Sequence, residues 1–251
     1  MYFLGKMGGS IPQIVKGTPG LGRVGKQDLV HMIDTELRGY EREFKALNIH
    51  LFDEVLELIS YVERVLSKPG GHLLLAGRAG VGRRTACQLA SHMLNKTFFS
   101  PSMSRDYSMK EFKRDLKLIL QKTGVEAEKV CLYIEDHQLI SSEILEYVNS
   151  LISAGESPGL YSPEELEPIL STLHDELRNQ YEVKTTFELF VRRVQKNLSI
   201  VVSLDNSHPQ FLQHCASNPA LYNKCSIIWH EGWSREAMRQ VAQKEMKDEL
   251  A

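Results

Sequence analysis

Apolar and polar positions along this chain fall into two alternating patterns. Phe52, Val55, Leu56, Ile59, Val62 and Leu66 recur with a period near 3.6 residues, predicting a helix over about 52–66 with one face in a core. Continuous apolar runs of strand length follow: Leu73–Ala76, Lys129–Ile134, Leu198–Leu204 and Ser226–Trp229, with a weaker strand over Thr97–Ser100. Strands without an exposed face are the mark of a parallel sheet covered on both sides. Between them lie helical patterns at about 83–95, 109–121 (Phe112, Leu116, Ile119, Leu120), 139–154, 163–180, 185–196 and 209–215, and a charged helix at 234–250. Lys68-Pro69-Gly70-Gly71, Thr123-Gly124 and Gly155–Gly159 punctuate them, and Ser162 followed by Pro163 is a helix start. Upstream, 28–47 carries a thin apolar stripe (Leu29, Ile33, Leu37, Phe44), and 1–27 is a Gly/Pro-rich arm expected to be irregular. The expected organisation is an arm and linking helix over 1–47 and one α/β unit over 48–251.

The first strand runs into Gly77-Arg78-Ala79-Gly80-Val81-Gly82, and a helix begins at Arg83. Strand, glycine-rich turn and helix is the geometry that cradles phosphate, because backbone N–H groups line the loop and the helix N-terminus attracts an anion. Candidate phosphate contacts are therefore Gly77, Ala79, Gly80, Val81, Gly82, Arg83, Arg84 and Thr85. Arg83 stands where such loops carry Lys, and Arg84 where they carry the hydroxyl that holds Mg²⁺; a hydroxyl follows only at Thr85. A second stretch, Gly20 to Lys26, fits the GxxxxGK spacing letter for letter. It lacks a preceding buried strand, follows Pro19, and ends in Gln27 rather than a hydroxyl residue.

The strand over 129–134 closes on Glu135-Asp136, and the strand over 198–204 on Asp205. In parallel sheets ligands sit at the carboxyl ends of strands, so these acids arrive where phosphates would be. A phosphate loop with an acidic pair some fifty residues on is the two-part plan of P-loop NTPases. The first acid holds Mg²⁺ and the second polarises the attacking water. Glu135-Asp136 reverses the usual Asp-Glu order, which leaves Asp136 one methylene short as a base. Thr85 and Glu135 are the candidate metal donors, and Asp136, Glu135 and Asp205 the candidate catalytic groups.

Composition narrows the partners. A net charge of −2 gives no duplex-wide nucleic-acid footprint, and no apolar run approaches the length of a membrane span or a signal peptide. Cys87, Cys131, Cys215 and Cys225 are widely spaced without a C-x-x-C pair, which fits reduced thiols in a soluble, cytoplasmic setting. His208, His214, Cys215 and Cys225 have poor spacing for zinc. Arg192, Arg193 and Lys196 read as a solvated helix face.

These residues together resemble an AAA+ module, specifically the fourth AAA module of dynein heavy chains in the intraflagellar-transport branch, over about Asn48 to Gln240. Ile49-His50-Leu51-Phe52-Asp53-Glu54 is similar to the family's adenine-side loop, which implies adenine contacts at Leu51 and Phe52. Gly77-x-x-x-x-Gly82-Arg83-x-Thr85 resembles the G-R-x-S/T loop of several axonemal dyneins. Gly155-Glu156-Ser157-Pro158-Gly159-Leu160 resembles the family's G-E-V-P-x-L turn. Asp205 falls where the sensor strand usually ends in Asn. Asn218–Cys225 resembles S-P-A-L-F-N-R-C, whose Arg serves the neighbouring module as a finger; here it is Lys224. The resemblance implies a three-layer α/β/α P-loop fold with about five parallel strands and no helical lid. It implies ATP or ADP, with Mg²⁺, as cofactors, and neighbouring AAA+ modules of the same heavy chain as partners. Microtubules would be reached through the full-length motor, in the cytoplasm, cytoskeleton and cilium. The altered loop, acid, sensor and finger positions imply a regulatory module with slow or absent hydrolysis. A working ATPase and a nucleotide-free structural ring segment are the alternatives.

Overall fold

The computed structural model describes residues 2–4, 22–177 and 183–249. Seven strands and eleven helices are defined among them. They run β1 (Tyr2–Leu4), β2 (Gly22–Val24), α1 (Lys26–Glu43), α2 (Asp53–Leu66), β3 (Leu73–Gly77), α3 (Arg83–Met93), β4 (Thr97–Phe99), α4 (Met109–Gly124) and β5 (Val130–Glu135). A 3₁₀ turn at Asp136–Gln138 leads to α5 (Ser142–Ala154), α6 (Pro163–Ser171), α7 (His174–Leu177), α8 (Thr186–Asn197) and β6 (Leu198–Leu204). The chain continues through α9 (Phe211–Ser217), α10 (Ala220–Asn223), β7 (Ser226–His230) and α11 (Arg235–Glu249).

Five strands form one sheet in the order β4-β5-β6-β3-β7, and every pairing in it is parallel. The alternation of side chains across each strand divides them between two cores. Leu74, Leu132, Ile134, Ile200 and Val202 pack under α4, α5 and α8 with Phe112, Leu116, Val148 and Phe190. Leu73, Leu75, Cys131, Tyr133 and Val201 point to the other face, against Leu56, Ile59, Leu89 and Ala90 of α2 and α3 and Leu29 and Ile33 of α1. This is the expected three-layer α/β/α architecture, with five parallel strands.

Several boundaries differ from the sequence expectation for identifiable reasons. β1 and β2 pair antiparallel, and Leu4 and Val24 are buried in the second core; three-residue strands are too short to show a period. The GxxxxGK stretch at 20–26 therefore has a strand inside it, and Lys26 opens α1 paired with Asp53 at 2.5 Å; Gly20 and Leu21 themselves lie outside the described residues. The helix expected over 163–180 ends as α6 at Ser171 and resumes as α7, while 178–180 lie outside the described residues. Its N-terminus is as expected: Ser162 and Glu165 make a reciprocal capping box with Pro163 in the first turn. The helix expected from 139 begins at Ser142, because Ser141 caps it.

The register brings the ends of β3, β5 and β6 level. Ala76 pairs with Leu204, and Glu135 with Ser203. With strands about 4.8 Å apart, Gly77, Asp136 and Asp205 all emerge on the sheet's carboxyl edge within about two strand spacings.

Candidate functional site

The loop between β3 and α3 is built on glycines that no other residue replaces freely. Gly77 has φ +156°, and a Cβ there would lie 1.8 Å from the carbonyl oxygen of His230 on the adjacent β7. Gly82 caps α3 with φ +83°, left-handed backbone that turns the chain into the helix. The amides at the start of α3 lack intrahelical partners and face a cleft of about 550 Å³. Ala79, Gly80, Gly82, Arg83, Arg84, Thr85, Glu135, Asp136, His137, Asp205, His208 and Trp233 line it. The loop, the acidic pair and Asp205, distant in sequence, thus meet in one space.

Arg83 does not extend into that space. It is 7% exposed, and its Nη1 donates to the carbonyls of Leu204 (2.7 Å) and Leu75 (3.3 Å), tying α3 to β6 and β3. Arg84 leans the other way. Its guanidinium carbon lies 5.6 Å from the Tyr133 ring centre and 5.9 Å from that of Phe98, and its Nη1 is 3.5 Å from Glu135 Oε2. The aromatic faces and the carboxylate hold one orientation of the planar guanidinium.

The acids are likewise engaged. Tyr133 donates its phenol to Glu135 Oε1 at 2.8 Å, and burial pushes the Tyr133 pKa up, which keeps the phenol a donor. The Glu135 amide donates to Gln138 Oε1, and Gln138 Nε2 donates to Ser100 Oγ and Pro101 O, which fixes the end of β5. Asp136 Oδ2 accepts from the Asp205 amide at 2.7 Å, while its Oδ1 is buried with no partner among the described residues. Asp205 Oδ1 accepts from the Ser207 hydroxyl and amide, and Oδ2 from the Ala79 amide at 3.4 Å. These bonds, the Ser207 hydroxyl first, hold the Asp205 carboxyl below the usual carboxylate range.

In the expected metal pair, Thr85 and Glu135, the carboxylate is already met by a side-chain cation. Arg84 stands in the hydroxyl's place and against the carboxylate. A dication there would be repelled by the guanidinium while drawn by Glu135, Asp136 and Asp205, so it would compete with Arg84 for the same carboxylate. Thr85 instead lies where the cleft meets a smaller hollow of about 90 Å³, shared with Asn48, Ile49, His50, Phe52, Val55 and Trp233. Elsewhere among the described residues no group of three or more His, Cys, Asp or Glu could hold a metal ion, and no helix is long and apolar enough to cross a membrane. The four cysteines are free, with Cys87 and Cys131 buried.

Of the two expected adenine-side residues, only Phe52 lines this smaller hollow; Leu51 lines a neighbouring depression, together with Phe52, Asp34, Leu37, Gln240 and Val241. Trp233 joins the two parts of the site: it meets Phe52 edge-on with ring centres 5.2 Å apart, and its indole N–H reaches Val81 O at 3.4 Å. Trp233 carries no motif, and Gln138, though it follows the acidic pair, shows nothing in the chain of its pinning role. Lys224 is exposed and caps α10, just before β7. The five residues of β7 place it about 16 Å of strand away from the cleft edge, at the sheet's opposite end.

Residues 47–251 match the family described as the P-loop containing dynein motor region D4. Among curated proteins, the chain is 48% identical over 221 residues (88% of the chain) to cytoplasmic dynein 2 heavy chain 1 of Homo sapiens. It is 45% identical over 234 residues (93%) to that of Tripneustes gratilla, and 47% identical over 215 residues (84%) to that of Chlamydomonas reinhardtii. The aligned part is 5% of each of these relatives, so the chain spans about one twentieth of their length. On the extent of the family match, all but the first 46 of its 251 residues, the chain belongs to the D4 region of dynein motor proteins.

Proposed function

We propose that the 48–251 unit is the nucleotide-holding fourth AAA+ module of a dynein heavy chain, regulatory and with slow or absent hydrolysis. Residues 1–47 form its arm and linking helix. The loop amides from Ala79 to Arg84 bind the phosphates of ATP or ADP, and Phe52 and Trp233 flank the base. Neighbouring AAA+ modules of the same heavy chain are its partners, with Lys224 facing one of them. Microtubules are reached only through the full-length motor, in the cytoplasm and cilium; the relatives' name, cytoplasmic dynein 2 heavy chain 1, supports the cytoplasmic motor.

The single observation that carries this reading is the commitment of Arg83. The cation that should follow a γ-phosphate is turned onto the carbonyls of Leu204 and Leu75. An enzyme lacking a cation at the transferred group forgoes the charge stabilisation on which phosphoryl transfer depends. One oxygen of Asp136 is tied to the Asp205 amide, so only Oδ1 is left to accept from a water.

Isothermal titration of the 251-residue chain with ATP and with ADP, beside a phosphate-release assay, tests the proposal. Saturable binding with turnover below about 0.01 s⁻¹, against the usual 1–10³ s⁻¹, is expected. Turnover near 1 s⁻¹ that vanishes in Asp136→Asn would establish a working ATPase instead. Absence of binding by either nucleotide would leave a structural ring segment.

A further inference from the structure

We propose that Arg84 replaces the magnesium ion of this site, so that a nucleoside diphosphate binds through a side-chain cation and without divalent metal. The inference rests on the nucleotide-binding reading above and deepens it.

Arg84 is the second residue of α3, so its Cα lies in the helix turn nearest the phosphates. Its side chain is 41% exposed and lines the cleft, with Nη1 3.5 Å from the Glu135 carboxylate at the end of β5. That point, between the first turn of the helix and the acid of the strand, is where a bridging metal would sit. Charge balance requires a cation there. Glu135, Asp136 and Asp205 all face the cleft, and Arg83 is committed to sheet carbonyls. A diphosphate entering beside three carboxylates needs positive charge, and Arg84 is the remaining Lys or Arg among the lining residues.

The guanidinium suits the task. It has five N–H donors in a planar fork, so contact with Glu135 leaves others for two phosphate oxygens. Glu135 acts as a positioning residue: held by the Tyr133 phenol, it orients Arg84 as a metal would otherwise be oriented by its ligands. Phe98 and Tyr133 supply flat faces against which the guanidinium rests. An intrinsic cation of this kind is present at every metal concentration, so the module would hold nucleotide regardless of magnesium supply.

The test is titration of the 251-residue chain with ADP, by calorimetry, in excess Mg²⁺ and in EDTA. The affinity should change by less than about threefold between the two buffers. Arg84→Ser should lose at least about tenfold in EDTA and recover with Mg²⁺, while Arg84→Lys keeps most of the metal-free affinity. Melting temperatures of the variants establish that each is folded, and the wild-type comparison needs no variant. Wild-type binding that weakens more than about tenfold in EDTA overturns the proposal and leaves the nucleotide reading standing. Unchanged metal-free binding by folded Arg84→Ser also overturns it. No ADP binding in either buffer removes the nucleotide reading, and this inference with it.

Discussion

Replacing Arg83 with Met should cost stability and leave nucleotide affinity nearly intact, the reverse of what loss of a phosphate-binding cation would do. The guanidinium donates to Leu204 O at 2.7 Å and Leu75 O at 3.3 Å from a site that is 7% exposed. Hydrogen bonds from a charged donor contribute about 1.5–3 kcal/mol each, and a buried carbonyl stripped of its partner costs about 1–3 kcal/mol. The Leu75 contact is long, so the shorter bond dominates. Met keeps most of the apolar stem, which limits the cavity term. The sum is a loss of roughly 2–4 kcal/mol. For a chain of 150–250 residues each kcal/mol lowers Tm by about 2–4 °C, so the melting point should fall by roughly 5–15 °C. Differential scanning calorimetry measures this, and titration with ADP measures affinity, which should change less than about threefold. A variant that melts within a degree or so of wild type yet binds ADP a hundredfold more weakly would show that Arg83 serves phosphate. The structural assignment would then be wrong.

Three further outcomes follow from the same geometry. Gly77→Ala should lower Tm far more than Gly159→Ala, though both change a glycine of positive φ. A Cβ at 77 meets the His230 carbonyl at 1.8 Å, whereas at 159 it meets nothing within 4 Å; equal losses in thermal denaturation would refute the steric account. His72 accepts from the Ile200 amide through Nδ1, and burial lowers its pKa from 6.5 to about 4. A folded pKa below the unfolded one means stability that is complete above pH 6.5 and lost as pH falls toward 4, by up to about 3 kcal/mol. His72→Asn, which keeps an acceptor without titrating in that range, should flatten the Tm–pH profile there, and an unaltered slope would count against the assignment. Finally, Trp229 and Trp233 are the two tryptophans of the chain. In Trp229→Phe, ADP should alter the remaining indole emission, since Trp233 lies at the join of the two hollows; a silent titration with calorimetrically proven binding would remove Trp233 from the site.

The sequence alone determined the large elements. The three central strands β3, β5 and β6 were runs of apolar residues with almost no exposed position, the edge strands β4 and β7 are partly exposed, and α2, α4 and α8 carried one-sided apolar stripes, because burial against a layered core imposes those periods. The phosphate loop was legible too, since Gly77 and Gly82 have conformational and steric demands that only one residue type meets. The parts it left out were those with no repeat to display: the three-residue strands β1 and β2, the four-residue α10, and the break after α6.

What only the tertiary structure decided was the direction in which each site side chain is spent. Arg83 and Arg84 are neighbours of identical type, and nothing in the chain says that one turns to the sheet carbonyls and the other to Glu135, Tyr133 and Phe98. Of the adjacent Leu51 and Phe52, likewise, only Phe52 reaches the hollow beside the loop, while both line the depression next to it. The parallel register sets Asp136 against the Asp205 amide across 69 residues, and Trp233 comes to Val81 across 152. Local preference acts within a turn or two of chain. A hydrogen bond between strand ends depends on which strands are neighbours, and that is fixed only when the sheet has closed its core.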